Sequence, residues 1–203
     1  MYHFAETKGQ TGAALVFTFH GTGGSADQFH GLASELIPGA HVISPQGDVS
    51  EGGAARFFRR TGEGVYDMDD LARRTAAMRD FVETAIARVK PSGVIGLGYS
   101  NGANILTSVM LKGPRLFDRA LLLHPLIPWT PDANPALDSV KVLITAGRRD
   151  PICPPPQTQA LADALTAMGA AVDLHWHDGG HQIDRSEVEA IRQALGTNIG
   201  QSG

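Results

Sequence analysis

Short apolar runs alternate with helical patterns along the chain, as expected for a mostly parallel central sheet with crossover helices on both faces. Ala13 to His20 (AALVFTFH) predicts a buried strand between Gly12 and Gly21, with Tyr2 to Glu6 as a short edge strand hairpinned onto it. Ala26 to Ile37 predicts a helix ending at Pro38-Gly39, and Val42 to Ser44 a brief strand running into Pro45. A Gly-rich, irregular stretch follows from Gln46 to about Tyr66. The clearest helix comes next. Leu71, Thr75, Met78, Val82, Ala85 and Val89 alternate spacings of four and three, which sets them on one face. Asp67, Asp69 and Asp70 stand at its start and Arg88 and Lys90 at its end, matching the helix dipole, and Pro91 stops it.

Beyond that helix the alternation is regular. Val94 to Tyr99 predicts a strand and Asn101 to Leu111 a helix, and Ala120 to His124 and Lys141 to Ala146 two more buried strands. Gln157 to Met168 is an amphipathic helix with Gly169 as its stop, and Val172 to Trp176 the last strand. Asp184 and Glu187 have capping-box spacing for a final helix that ends at Gly196. No internal repeat or linker interrupts the pattern, so residues 1–203 read as a single α/β domain.

Composition narrows the function classes. With 42% hydrophobic and 19% charged residues, the chain reads as globular rather than disordered. No apolar run is long enough to predict a membrane span. The N-terminal residues lack a secretory pattern, and one cysteine rules out an internal disulfide framework, so a cytoplasmic location is expected. The net charge of −4 comes with no dense basic stripe, which disfavours nucleic acid as a partner; Arg56, Arg59 and Arg60 form the largest basic cluster.

The chemistry is concentrated at strand ends. Gly98-Tyr99-Ser100-Asn101-Gly102 matches G-x-S-x-G, and it follows an apolar strand and opens a helix, the setting of a nucleophile elbow. His20-Gly21-Thr22-Gly23-Gly24 closes the first strong strand, where a second oxyanion donor belongs. The expected donors are the backbone N–H groups of Thr22 and Asn101. A phosphate loop is rejected there, because the lysine of G-x-x-x-x-G-K-[ST] is missing and HGTGGS is not G-x-G-x-x-G.

A hydroxyl nucleophile needs a base, and the base needs an acid to fix its tautomer. Asp150 after the strand Val142 to Ala146, and His181 after Asp178-Gly179-Gly180, supply them in the chain order Ser, Asp, His. Asp178 is the substitute acid, less favoured because it is so close to His181 in sequence. His175, His177 and His181 hint at metal, but no acidic or cysteine co-ligands are evident, so no metal is expected. His20 and His124 read as structural, and Cys153, without an elbow, as a packing residue.

Taken together, HGTGG, GYSNGA, AGRRDPICP and GGHQ resemble the phospholipase/carboxylesterase branch of the α/β-hydrolases, related to dienelactone hydrolases. The likeness spans about His20 to His181, and the segment from Arg56 to Asp67 resembles one in small bacterial carboxylesterases. It implies an esterase or thioesterase with no metal or organic cofactor, and it supports the triad Ser100, Asp150 and His181. Dienelactone hydrolases use a cysteine nucleophile, so Ser100 departs from their pattern.

The chain has little room for a cap, so an open site is expected on a minimally capped hydrolase fold. Phe57, Phe58, Arg59, Ile127 and Trp129 are candidate pocket residues, with the arginines able to attract a substrate carboxylate. The expected substrate is a small or medium carboxylic ester. Thioesterase, lactone or C–C bond hydrolysis is the alternative chemistry, and a silent binding module the alternative class. A homodimer is compatible with this reading.

Overall fold

The structure, a computed structural model, describes residues 2–196. Its strands and helices run β1 (Phe4–Thr7), β2 (Leu15–Phe19), α1 (His30–Leu36), β3 (His41–Pro45), β4 (Val49–Glu51), β5 (Ala54–Arg56), β6 (Arg60–Gly62) and β7 (Val65–Tyr66). They continue as α2 (Met68–Val89), β8 (Val94–Tyr99), α3 (Asn101–Lys112), β9 (Arg119–Leu123), β10 (Lys141–Gly147), α4 (Pro155–Ala167), β11 (Ala171–His177) and α5 (Arg185–Gly196).

Seven strands form one sheet in the order β1-β3-β2-β8-β9-β10-β11, parallel throughout except for β1. The central strands are apolar on both faces because helices cover both. Phe17 and Phe19 of β2 share one apolar core with Met78 and Val82 of α2, Ile105 and Val109 of α3, and Leu161 and Leu165 of α4. Val16 of β2, with Ile95 and Leu97 of β8, packs on the other face with Ala33 of α1 and Ile191 of α5. The α2 stripe read from spacing is buried at Leu71, Thr75, Met78, Val82 and Ala85, and Asp67 caps that helix by accepting the Asp70 N–H.

Three expectations are revised. The hairpin of the first two strands does not form: β1 pairs antiparallel with β3, from Phe4 opposite Pro45 to Thr7 opposite Val42. β2 is buried at all five positions and takes β3 and β8 as neighbours, leaving the partly exposed β1 for the edge. The helix expected from Ala26 begins only at His30, because residues 26–29 are turns. Lastly, the stretch from Gln46 to Tyr66 folds into two small antiparallel ribbons, β4–β5 and β6–β7. These ribbons lie beside the C-terminal rim of the sheet, where the Gly23 N–H reaches the Ala55 carbonyl. Among the described residues no helix is long and apolar enough to cross a membrane.

Candidate active site

Ser100 occupies the turn between β8 and α3 with φ 52° and ψ −116°, a backbone conformation that L side chains seldom adopt. The turn is held from both sides. The Ser100 N–H donates to the Leu123 carbonyl at 2.8 Å, and the Ser100 carbonyl accepts the Asn104 N–H at 2.9 Å. Packing explains the glycine two residues on: a Cβ on Gly102 would lie 2.2 Å from the Phe19 carbonyl oxygen. Glycine therefore lets α3 start against the sheet, and the serine hydroxyl projects beside that helix's first turn.

Asp150 and His181 come from later strand ends, after β10 and β11. His181 Nε2 is 2.8 Å from Ser100 Oγ, and His181 Nδ1 is 2.8 Å from Asp150 Oδ2. The other carboxylate oxygen, Oδ1, accepts the N–H groups of Ile152 at 2.8 Å and Cys153 at 2.9 Å. Burial alone would raise the Asp150 carboxyl. Hydrogen bonds from His124 and His181, then from the Cys153 N–H, outweigh burial and hold it well below the usual carboxylate range. The two loops meet because residue 147 is glycine, whose Cβ would fall 2.2 Å from the Gly180 carbonyl oxygen. Tyr99 secures the histidine loop by donating its hydroxyl proton to the His181 carbonyl at 2.8 Å.

Thr22 and Asn101 flank Ser100 in a pocket of about 220 Å³. Among the described residues neither of their N–H groups donates a hydrogen bond within the protein, and both side chains are anchored. Asn101 Oδ1 accepts the Phe57 N–H at 2.7 Å, and Thr22 Oγ1 accepts from Arg56 Nη1 at 2.7 Å. His20 supports the same loop, bonding the Gly21 carbonyl through Nδ1 and accepting the Gly47 N–H at Nε2.

The expected apolar walls lie elsewhere. Phe57 and Phe58 are fully buried in the core, where Phe57 packs edge-on against Phe19 and Phe58 against Tyr66. Arg59 points away and pairs with Asp67 and Asp70, Ile127 is core, and Trp129 packs on Tyr66 outside the pocket. A sequence of two adjacent phenylalanines on a loop does not reveal which way either ring turns. The pocket wall is instead made by Arg56, Arg60, Tyr66, Asn104, Leu126 and Ile152. Arg56 is buried to 3% exposure and its Nε donates to the Phe58 carbonyl. Cys153 is buried at 1% exposure, and burial raises its thiol, so the thiolate is disfavoured.

Two further buried groups sit behind Asp150. His124 Nδ1 is 2.8 Å from Asp150 Oδ2, and its Nε2 faces Glu187 Oε1 at 3.1 Å. Glu187, which the sequence offers only as a capping residue, does accept the Asp184 N–H, and its side chain is wholly buried. His175 and His177 do not join His181: His175 bonds Ser186, and His177 Nε2 faces Glu187 Oε2 at 3.3 Å.

Residues 47–190 match the dienelactone hydrolase family. Over 195 residues the chain is 36% identical to MhqD, a proposed hydrolase of Bacillus subtilis (strain 168), covering 95% of this chain and 96% of that one. A carboxylesterase of Bacillus cereus superposes with a TM-score of 0.90 at 35% identity, over 97% of this chain and 94% of its own. Protein Atu2452 of Agrobacterium tumefaciens, of unknown function, reaches a TM-score of 0.93 at 52% identity, over 96% of each chain. With a serine on a strained strand–helix turn and these likenesses along nearly its whole length, the chain belongs to the dienelactone hydrolase family and is a hydrolase built on the α/β-hydrolase fold.

Proposed function

We propose that the protein is a serine carboxylesterase in which Ser100 is the nucleophile, His181 the general base and acid, and Asp150 the carboxylate that orients the imidazole. The reading is carried by the unbroken run of contacts from Asp150 through His181 to Ser100, each at 2.8 Å. Asp150 is ionised, so it accepts from His181 Nδ1, which leaves the Nε2 lone pair turned to the serine hydroxyl. His181 takes the hydroxyl proton as Ser100 Oγ attacks the ester carbonyl. The oxyanion is received by the N–H groups of Thr22 and Asn101, where one donor is worth about 2.7–4 kcal/mol. His181 then protonates the leaving alcohol, and water enters by the same route to release the acid. A pocket of about 220 Å³ supports small substrates. Thioesters and lactones pass through the same tetrahedral species, so they are the alternative substrates.

Purified protein is expected to hydrolyse p-nitrophenyl acetate and to be labelled by a fluorophosphonate. The Ser100→Ala variant should lose the labelling and nearly all of the turnover. Labelling that survives in the variant would assign the nucleophile elsewhere, and a wild type with neither property would favour a silent binding module. Varying the acyl chain and leaving group separately, with thioesters and lactones included, sorts the remaining chemistries.

A further inference from the structure

We propose that His124 is a positioning residue of this hydrolase: a buried imidazolium, clamped between the carboxylates of Asp150 and Glu187, that holds Asp150 on His181 and balances the charge beneath it. The inference rests on the proposed roles of Ser100, His181 and Asp150. It follows from counting protons in a closed space. The side chains of His124, Asp150 and Glu187 are all fully buried, so each polar atom must be matched within the protein.

Asp150 Oδ2 faces two imidazole nitrogens, Nδ1 of His181 and Nδ1 of His124, each at 2.8 Å. An ionised carboxylate only accepts, so both nitrogens carry protons. That leaves His124 Nε2, which is 3.1 Å from Glu187 Oε1 in an ion pair rather than an aligned hydrogen bond. Glu187 is itself ringed by donors: the Thr145 hydroxyl on Oε1 and the Asp184 N–H on Oε2. His177 Nδ1 accepts the Gly179 N–H, so its proton lies on Nε2, which faces Glu187 Oε2 at 3.3 Å without an aligned hydrogen bond. A neutral His124 would turn a bare lone pair onto this carboxylate. A second proton, on Nε2, removes the conflict.

The other groups around the ring agree. The rings of Tyr99, His177 and His181 pack against His124 at centroid distances of 5.9, 5.4 and 5.1 Å, and Cys153 donates its thiol proton to the His124 carbonyl. Among the described residues, Asp150 and Glu187 are therefore the only anionic side chains set against the ring. Burial works against the charged ring, but its hydrogen bond to Asp150 and its close approach to the Glu187 carboxylate prevail and raise it to about 9. With His124 charged, the cluster of Asp150, Glu187, His124 and His181 carries one net negative charge at rest. When His181 takes the Ser100 proton, the cluster becomes neutral, which favours the charge separation of the transition state.

The test is direct. Long-range proton–nitrogen NMR on histidine-15N-labelled wild-type protein at pH 7.5 should show one buried ring, assigned with His124→Asn, with both nitrogens protonated. In Glu187→Gln the same ring should carry a proton on Nδ1 alone. His124→Asn should lower kcat/KM for p-nitrophenyl acetate by about 10–100-fold, the usual scale for losing an outer partner of a working imidazole in metal sites. It should also move the acid limb of the kcat/KM profile to higher pH, since uncompensated Glu187 favours a protonated His181. A singly protonated His124 ring in the wild type overturns the proposal, as does a His124→Asn enzyme with the wild-type rate and pH profile. If His124→Asn does not fold, Glu187→Gln and the wild-type spectrum decide alone. Normal fluorophosphonate labelling with a neutral His124 would sink only this inference, whereas an active Ser100→Ala variant would sink the triad beneath it.

Discussion

Tyr99 stands one residue before the serine, and its importance lies in where its hydroxyl goes. It crosses to the His181 carbonyl at 2.8 Å, while its ring lies 5.5 Å from the imidazole. Residues 82 apart in sequence are thus tied together beside the Ser100–His181 contact. A single such hydrogen bond is worth about 1 kcal/mol. Tyr99→Phe should therefore lower kcat/KM by up to about fivefold with the triad intact, as measured by steady-state kinetics. An unchanged rate would mean that the histidine loop is held by its other contacts, chiefly Arg149 N–H on the Gly179 carbonyl at 3.0 Å. At this scale the sequence exposes identities and order, Ser100 then Asp150 then His181, because a glycine-flanked serine and an aspartate and a histidine after later strands are recognisable residue types. It conceals direction. Arg56 and Arg59 look equivalent in the string, yet the first is buried against the Thr22 loop and the second pairs outward with Asp67 and Asp70.

Elements place these residues, and close approach between elements can be tested with glycines. Gly102 begins α3 against β2, and an added methyl would collide with backbone at Phe19 and His20. Backbone cannot swing aside as a flexible side chain does, so Gly102→Ala should destabilise by about 3 kcal/mol or more and lose activity with it. Gly31 in α1 is the opposite case, with nothing within 4 Å of its would-be Cβ. Gly31→Ala should stabilise by about 0.5–1 kcal/mol and leave turnover unchanged. Thermal melts of the two variants beside wild type check both signs; equal and opposite failure of these signs would mean the helix starts are packed otherwise. The long α2 was readable because its apolar stripe and its Asp67 cap are local properties. The partner of β1 was not, since which strand an edge segment joins depends on which edge the central strands leave open.

For the whole molecule, the buried charges set the pH range of stability. Asp150 and Glu187 are both held low in the folded protein: burial raises them, and the neighbouring His124 ring leads the groups that lower them. Their contribution is present above the ordinary carboxylate range and is lost as pH falls through the depressed folded values. His124 has the opposite sign. Raised from 6.5 to about 9, it stabilises the fold fully below 6.5, and that contribution fades as pH climbs through about 9. Melting temperature should therefore be flat from about pH 5 to 7, falling on the acid side as Asp150 and Glu187 protonate and on the alkaline side as His124 loses its proton. Scanning calorimetry across pH 3–10 measures this, and a wild-type Tm that stays flat to pH 10 would contradict a charged His124.

The order of strands and helices, the glycine-flanked serine and the aspartate and histidine at later strand ends follow from period, spacing and residue type, all local along the chain. The wall of the pocket, the neighbour of the first strand and the pairing of His124 with Glu187 do not. Each depends on which side chains from distant segments are forced into one dry space and must satisfy one another there. Glu187 shows the difference within a single residue: its backbone position marks a helix start in the string, while its carboxylate acquires a buried histidine only when α5 packs against β10 and β11.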